Sequence, residues 1–149
     1  MIRWKNKRDI PGIVRLVRSQ LVPISPWFHP RDKRLYDIVS RRIQSGSTLV
    51  ASQSRSGSPF AFVHFNIRQD RLFIDLLAVD AAFQGRRWGT ELMMQAEAHG
   101  LGEGCTVAHL FVDEKNERAL RFYRRLGYKV ARHVKELHCF ELFKPLGGD

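Results

Sequence analysis

The 149 residues, 44% of them apolar, can bury a core of ordinary size, so a single domain over residues 1–149 is expected. Eleven glycines and six prolines are scattered along the chain, which argues against disorder and low complexity. The net charge of +10 marks a surface that attracts anions, from phosphorylated cofactors and acidic substrates to RNA or lipid headgroups, without choosing among them.

No apolar run approaches the roughly 20 residues needed to cross a membrane. The opening Met1-Ile2-Arg3-Trp4-Lys5-Asn6-Lys7-Arg8-Asp9 has no apolar stretch after its charges, so neither a signal peptide nor a membrane partner is expected and a cytoplasmic location is the default. Cys105 and Cys139 lack metal-type spacing to histidine. They read as buried, reduced thiols, with a disulfide or a catalytic thiol as the alternatives, and no metal is expected.

In chain order, Ile2–Trp4 suits a short first strand. Asp9-Ile10-Pro11 opens a helix, with Asp as its cap and Pro in the first turn. Ile10, Ile13, Val14, Val17 and Leu21 recur at helical spacing, and Pro23 and Pro26 end the run. A second helix follows Pro30, with Leu35, Ile38, Val39 and Ile43 on one side and Gly46 as its stop. Three strands come next, at Thr48–Ser52, Phe60–Ile67 and Leu72–Val79, joined by short turns into an antiparallel meander. The third is apolar on both faces and belongs inside the sheet. A helix from Trp88 to Leu101 buries Leu92, Met93, Ala96 and Leu101 and ends at Gly100, Gly102 and Gly104. Then follow a strand (Val107–Val112), a helix (Asn116–Leu126) stopped at Gly127, and two strands (Tyr128–His133 and Leu137–Phe143). The order is β-α-α-β-β-β-α-β-α-β-β. It predicts an α/β (α+β) fold with a mixed, mostly antiparallel sheet of about seven strands and about four helices. Strands 4 and 5 flank a crossover helix and should be parallel neighbours.

The segment from Leu72 to Leu92 carries the chemistry. A buried strand ends at Val79, and a turn leads through Gln84-Gly85-Arg86-Arg87-Trp88-Gly89-Thr90 into a helix. The first amides of a helix lack internal acceptors and sit at the positive end of its dipole, so this end suits a phosphate. Gly85 and Gly89 permit close approach of a ligand to the backbone, and Arg86 and Arg87 add full charges. An ordinary strand-to-helix turn would look much the same.

A second segment, Asn116-Glu117-Arg118-Ala119-Leu120-Arg121-Phe122-Tyr123-Arg124-Arg125-Leu126-Gly127-Tyr128, follows one strand later. Together the two resemble the GNAT superfamily of N-acetyltransferases. The first is similar to its pyrophosphate loop, Q/R-x-x-G-x-G/A. The second matches N-x-x-A-x-x-F-Y-x-x-x-G-F/Y. The motifs span about residues 72–128. One position departs from the pattern, because Arg87 stands where the loop has glycine. A right-handed backbone there would tolerate the side chain, whereas a positive φ would strain it. Trp88 reads as packing.

The resemblance implies acetyl-CoA as the acyl donor. Backbone amides of Gly85, Arg86, Arg87, Trp88, Gly89 and Thr90, following Gln84, would hold its pyrophosphate. The backbone at Leu77 and Val79 would pair with the pantetheine arm, Asn116 would contact that arm while also capping its helix, and a small Ala119 would let the cofactor lie close. The Tyr123 hydroxyl would lie near the sulfur and protonate the departing thiolate, its other reading being a packed aromatic. Asp75, a lone carboxylate in Phe73-Ile74-Asp75-Leu76-Leu77, is the first candidate for the base, with a structural hydrogen bond or an acceptor contact as its alternatives. His64 and His109 are weaker candidates. Arg118, Arg121, Arg124 and Arg125 form a solvated helix face, one of which could reach the 3′-phosphate.

The implied function is transfer of an acyl group from CoA to a primary amine by direct attack in a ternary complex, without a metal or an acyl-enzyme. The acceptor is a small-molecule amine or a protein amine. Eleven Lys/Arg against three Asp in residues 1–45 suggest acidic character for it. Homodimers are common in the family. A non-catalytic acyl-CoA sensor and a basic nucleic-acid-binding module are the competing readings. The latter is disfavoured because no aromatic-rich binding strand or recognition helix is present.

Overall fold

The computed structural model describes residues 1–21 and 33–147. Seven strands form one sheet: β1 (Ile2–Trp4), β2 (Ser47–Ala51), β3 (Ala61–Arg68), β4 (Arg71–Val79), β5 (Val107–Asp113), β6 (Lys129–Val134) and β7 (Cys139–Pro145). Their order is β1-β2-β3-β4-β5-β7-β6, and every pairing is antiparallel except β4 with β5. Among the described residues four α-helices complete the predicted order: α1 (Ile10–Leu16), α2 (Leu35–Arg42), α3 (Trp88–Gly102) and α4 (Glu117–Arg125). The predicted start of the second helix after Pro30, and the Val22–Pro30 loop before it, lie outside the described residues.

Two apolar clusters lie on opposite faces of the sheet. One joins α3 and α4 to the sheet through Leu92, Met93, Ala96 and Leu120 against Val63, Leu110 and others. The other joins α1 and α2 through Ile13, Leu35 and Val39 against Val50, Phe62 and Leu76. β4 serves both, as its apolarity on both faces requires. Ile74 belongs to the first cluster and Leu76 to the second, so the alternation changes phase between them. The cause is a bulge: His64 pairs with Leu76 and Phe65 with Ile74, leaving Asp75 without a counterpart.

Several boundaries differ from the sequence expectation for identifiable reasons. Asp9 does not cap α1 through its side chain. It accepts instead from the Asn6 amide and from Arg3, within a capping box on the preceding 3-10 turn. The first helix changes to a wider π turn over Val17–Leu21. Ile38 on α2 and Leu101 on α3 are exposed, and Gly100 lies inside α3, where its hydrogen lets the helix close on Leu72. The last strand begins at Cys139 because His138 takes a left-handed conformation after a short turn. Gly127 stops α4 as expected, at φ +100°. Both cysteines are free and buried, and burial pushes both thiols up.

Candidate active site

β4 and β5 pair only at Arg71–Val107, Leu72–Ala108 and Phe73–His109. Beyond Phe73 the two strands part. The remaining length of β4, from the bulge at Asp75 to Val79, has β3 on one side and no strand of the described residues on the other. The result is a V-shaped gap in the middle of the sheet, with a β-strand backbone along one wall. Such an edge pairs readily with an extended amide-bearing chain.

The wide end of the gap meets the Gln84–Thr90 turn. Asp80 caps a short turn over Ala81–Phe83 by accepting from the Ala82 amide. Phe83 stacks on Phe60 with ring centroids 3.9 Å apart, and Trp88 meets the same ring edge-on at 5.0 Å, so Trp88 does pack. This aromatic base fixes the turn, and the Arg86 guanidinium lies 5.9 Å above Phe83. Gly85, Arg86 and Arg87 are exposed above it. Among the described residues no acceptor meets the amides of Gly85 through Thr90, and the first amide of this run to find one is that of Glu91, bonded to the Arg87 carbonyl. Six consecutive unpaired donors at a helix start are the arrangement that suits an anion.

Arg87 has φ +68°, so the glycine position of the loop does require the left-handed region and the arginine occupies it under strain. Gln84 has a structural role that sequence could not show. Its side chain donates to the Val79 carbonyl (2.9 Å) and to Gln20 (2.8 Å), and accepts from Arg118 (3.1 Å). It thereby ties the end of β4 to the π turn and to α4. One arginine of the α4 face is thus anchored at the gap, while Arg121 makes only a loose pair with Glu117 across one helical turn.

α4 closes the α3/α4 side of the gap. Asn116 caps it by accepting from the Ala119 amide at 3.1 Å. Leu77, Val79, Ala119, Phe122 and Tyr123 are all partly buried on the same cluster. Gly89 lets α3 approach α4, since a Cβ there would stand 3.3 Å from the Phe122 ring. Tyr123 packs edge-on between Phe122 and Tyr128, and its hydroxyl has no partner among the described residues. Burial pushes its phenol well above the ordinary tyrosine value. The neighbouring Tyr128 differs: its hydroxyl donates to Glu97 at 2.8 Å, and Lys144 holds the other Glu97 oxygen at 2.7 Å. That brace fixes the ring against which Tyr123 rests.

The opposite side of the gap holds the other titratable candidates. Asp75 is gripped by Arg42 of α2, through Nε at 2.9 Å and Nη2 at 2.6 Å. His64 is fully buried, with Nδ1 at 2.8 Å from the Thr48 hydroxyl, and burial pulls its pKa down against the opposing pull of Asp75. His109 lies at the apex of the gap, and its Nδ1 stands 3.5 Å from Glu141. The structure therefore gathers Leu77, Val79, Ala119, Asn116, Tyr123 and the turn around one gap. It seals His64 away. Arg42, Gln20, Glu97 and Glu141 carried no sequence signal, save that a carboxylate on an apolar strand demands a partner.

A family model described as "Acetyltransferase (GNAT) family" matches residues 13–128. The chain belongs to the GNAT acetyltransferase family. It is 29% identical over 107 residues to a mycothiol acetyltransferase of Mycobacteroides abscessus, covering 71% of this chain and 32% of that protein. It is also 37% identical over 57 residues to an uncharacterized N-acetyltransferase of Methanocaldococcus jannaschii, covering 38% of this chain and 25% of that one. The chain thus spans about a third or less of the length of these relatives. Among solved structures, Ard1 from Thermoplasma volcanium superposes with a TM-score of 0.78 at 18% identity, over 99% of this chain and 98% of that one. The PaiA N-acetyltransferase of Thermoplasma acidophilum, determined in complex with coenzyme A, gives 0.76 at 18% identity over 97% and 98% of the two chains. At such identities these likenesses establish the GNAT fold. Among the described residues no helix is long and apolar enough to cross a membrane.

Proposed function

We propose that this GNAT chain is an acetyl-CoA-dependent N-acetyltransferase acting on a primary amine by direct attack. The observation that carries the reading is the parting of β4 and β5 beside six unpaired amides, with Tyr123, whose hydroxyl meets no described residue, packed on the α3/α4 cluster together with Leu77 and Val79 of β4. The amides of Gly85 through Thr90 hold the pyrophosphate, with Arg86 and Arg87 adding charge. The β4 edge at Leu77 and Val79 receives the pantetheine amides, and Ala119 and Asn116 border the arm on the α4 side. The coenzyme A in the T. acidophilum neighbour supports this choice of ligand class.

Held in this way, the thioester is fixed in the gap and an amine reaches it from the α1/α2 face. Positioning of the two reactants supplies much of the acceleration. Tyr123 stays protonated through the working pH range, because burial raises its phenol. The same burial raises the departing thiolate, so the hydroxyl remains a suitable donor to it. Both oxygens of Asp75 already accept from Arg42, which favours a positioning role in the acceptor wall over proton transfer. The excess of positive charge in residues 1–45 favours an acceptor of acidic character.

The test is a panel of amines incubated with acetyl-CoA while thiol release is followed. Turnover is expected with at least one amine, faster for acidic acceptors, with an advantage that shrinks as salt rises. Tight acetyl-CoA binding without turnover on any amine would make the protein a sensor. RNA binding that weakens steeply with salt, without acetyl-CoA affinity, would make it a nucleic-acid-binding module.

A further inference from the structure

A primary amine arrives as its ammonium form at neutral pH, so the site must remove a proton before attack. Of the three titratable candidates, Asp75 is engaged at both oxygens and His64 has no exposed surface. His109 is placed differently. Its residue forms the last pair with Phe73 before β4 and β5 part, so it stands at the apex of the gap. Ala108 and Leu110 point into the α3/α4 cluster, which turns the intervening His109 onto the α1/α2 face. There it lies against Phe73 (ring centroids 5.1 Å) on the face where Asp75 meets α2.

The ring is oriented by charge. Nδ1 is buried, lacks a hydrogen-bond partner and faces Glu141 Oε2 at 3.5 Å. The other oxygen of Glu141 accepts from Arg132 at 2.8 Å, and Arg132, with a smaller contribution from His109, holds this carboxyl below its usual range. A carboxylate facing Nδ1 favours the proton on that nitrogen, leaving Nε2 as the acceptor. Nε2 has no partner among the described residues and is not among their sealed polar atoms. Phe73 and Phe111 flank the ring, and Phe111 is itself exposed.

We propose that His109 is the general base of the transfer, with Glu141 as its positioning residue. This rests on the N-acetyltransferase reading given above. The acceptor ammonium gives one proton to Nε2, directly or through one water. The freed lone pair forms the C–N bond to the thioester carbonyl carbon, and the C–S bond breaks with its electrons on sulfur. Tyr123 supplies the proton to sulfur. The second proton lost from nitrogen restores Tyr123 through solvent, and His109 releases its own to bulk. The sum is amide, free thiol and one proton.

The experiment compares kcat/KM against pH for the wild-type chain, His109→Gln and Glu141→Gln on one amine, with acetyl-CoA affinity measured alongside. At neutral pH His109→Gln is expected to lose about 10²-fold in kcat/KM. The loss should close as pH rises and the free amine becomes abundant, with acetyl-CoA affinity unchanged. Glu141→Gln should show a smaller loss of the same pH form, and added imidazole should restore part of the activity of His109→Ala. A loss of equal size at every pH, or none, would reduce His109 to a packing residue. Should His109→Gln fail to fold, a pH-independent Glu141→Gln profile would overturn the proposal equally. A wild-type chain inactive on every amine would defeat the transferase reading, which is a distinguishable failure.

Discussion

Tyr123 and Tyr128 sit five residues apart, their rings in edge-to-face contact, yet they have opposite surroundings. Tyr128 spends its hydroxyl on Glu97, while that of Tyr123 is left for something outside the described residues. Replacing Tyr123 by Phe removes one oxygen that bonds to no described residue. Stability should change by no more than about 0.5 kcal/mol, the scale of a substitution that breaks no contact. Turnover should fall by about 10²-fold with little change in acetyl-CoA affinity, measured by thiol release and calorimetry. Tyr123→Phe turnover equal to wild type would place the proton donor elsewhere. At this scale the sequence was legible where a motif fixed a residue type. It was not legible for Asp75, whose need of a partner was evident but whose partner, Arg42, lies 33 positions earlier on α2. His109 was legible only as a weaker candidate for the base, because the charge that orients it, Glu141, comes from β7.

The Gln84–Thr90 turn shows the same division at the scale of an element. Its glycines, arginines and helix start were plain from the sequence, and so was the question raised by Arg87. The structure answers it with φ +68°. A non-glycine residue in that region costs about 1–2 kcal/mol. Arg87→Gly should therefore stabilise the chain by about 1 kcal/mol, or roughly 2–4 °C in Tm. It should also weaken acetyl-CoA binding several-fold, increasingly so at low salt, if the guanidinium serves the phosphates. A melting point unchanged or lowered would show that the arginine makes compensating contacts. The clamp by Gln84 could not be foreseen, since Gln20 and Arg118 reach it from two separate helical segments. Helix ends shifted where local chemistry competed with periodicity, as when Asp9 turned to Arg3 and Asn6 instead of capping α1.

For the whole molecule, element order alone gave the seven strands, the four helices and the single parallel pair, because a crossover helix between β4 and β5 leaves little choice. What order could not give was the extent of that pair, and the gap depends on it. The bulge at Asp75 follows the last β4–β5 pair at Phe73 by two residues, and a bulged strand bends. The N-terminal half is fastened by Arg3, which bonds Asp9 through both nitrogens and the Gly57 carbonyl beyond. Burial alone would raise the Asp9 carboxyl, but the bonds from Arg3 and the Asn6 amide outweigh it and the net shift is downward. A depressed carboxyl contributes stability that is present above its unfolded value of about 3.9 and is lost as pH falls through the lower folded value. Asp9→Asn should thus lower stability near neutrality by about 3 kcal/mol, the loss expected when a buried pair loses one partner. In a thermal melt that is roughly 6–12 °C. The gap between variant and wild type should narrow below about pH 4, and a constant difference down to acid would deny the pair its charge.

The proposed transfer depends on a cofactor lying along the opened edge of β4 with its phosphates on the turn. Hydrogen exchange with and without acetyl-CoA tests that placement most directly. Acetyl-CoA is expected to slow exchange in peptides covering Leu77–Val79 and Gly85–Thr90 and at the start of α4 around Asn116, while β1 and β2 are unaffected. Binding that protects other segments, or a turn whose amides exchange at the same rate in saturating acetyl-CoA, would contradict it.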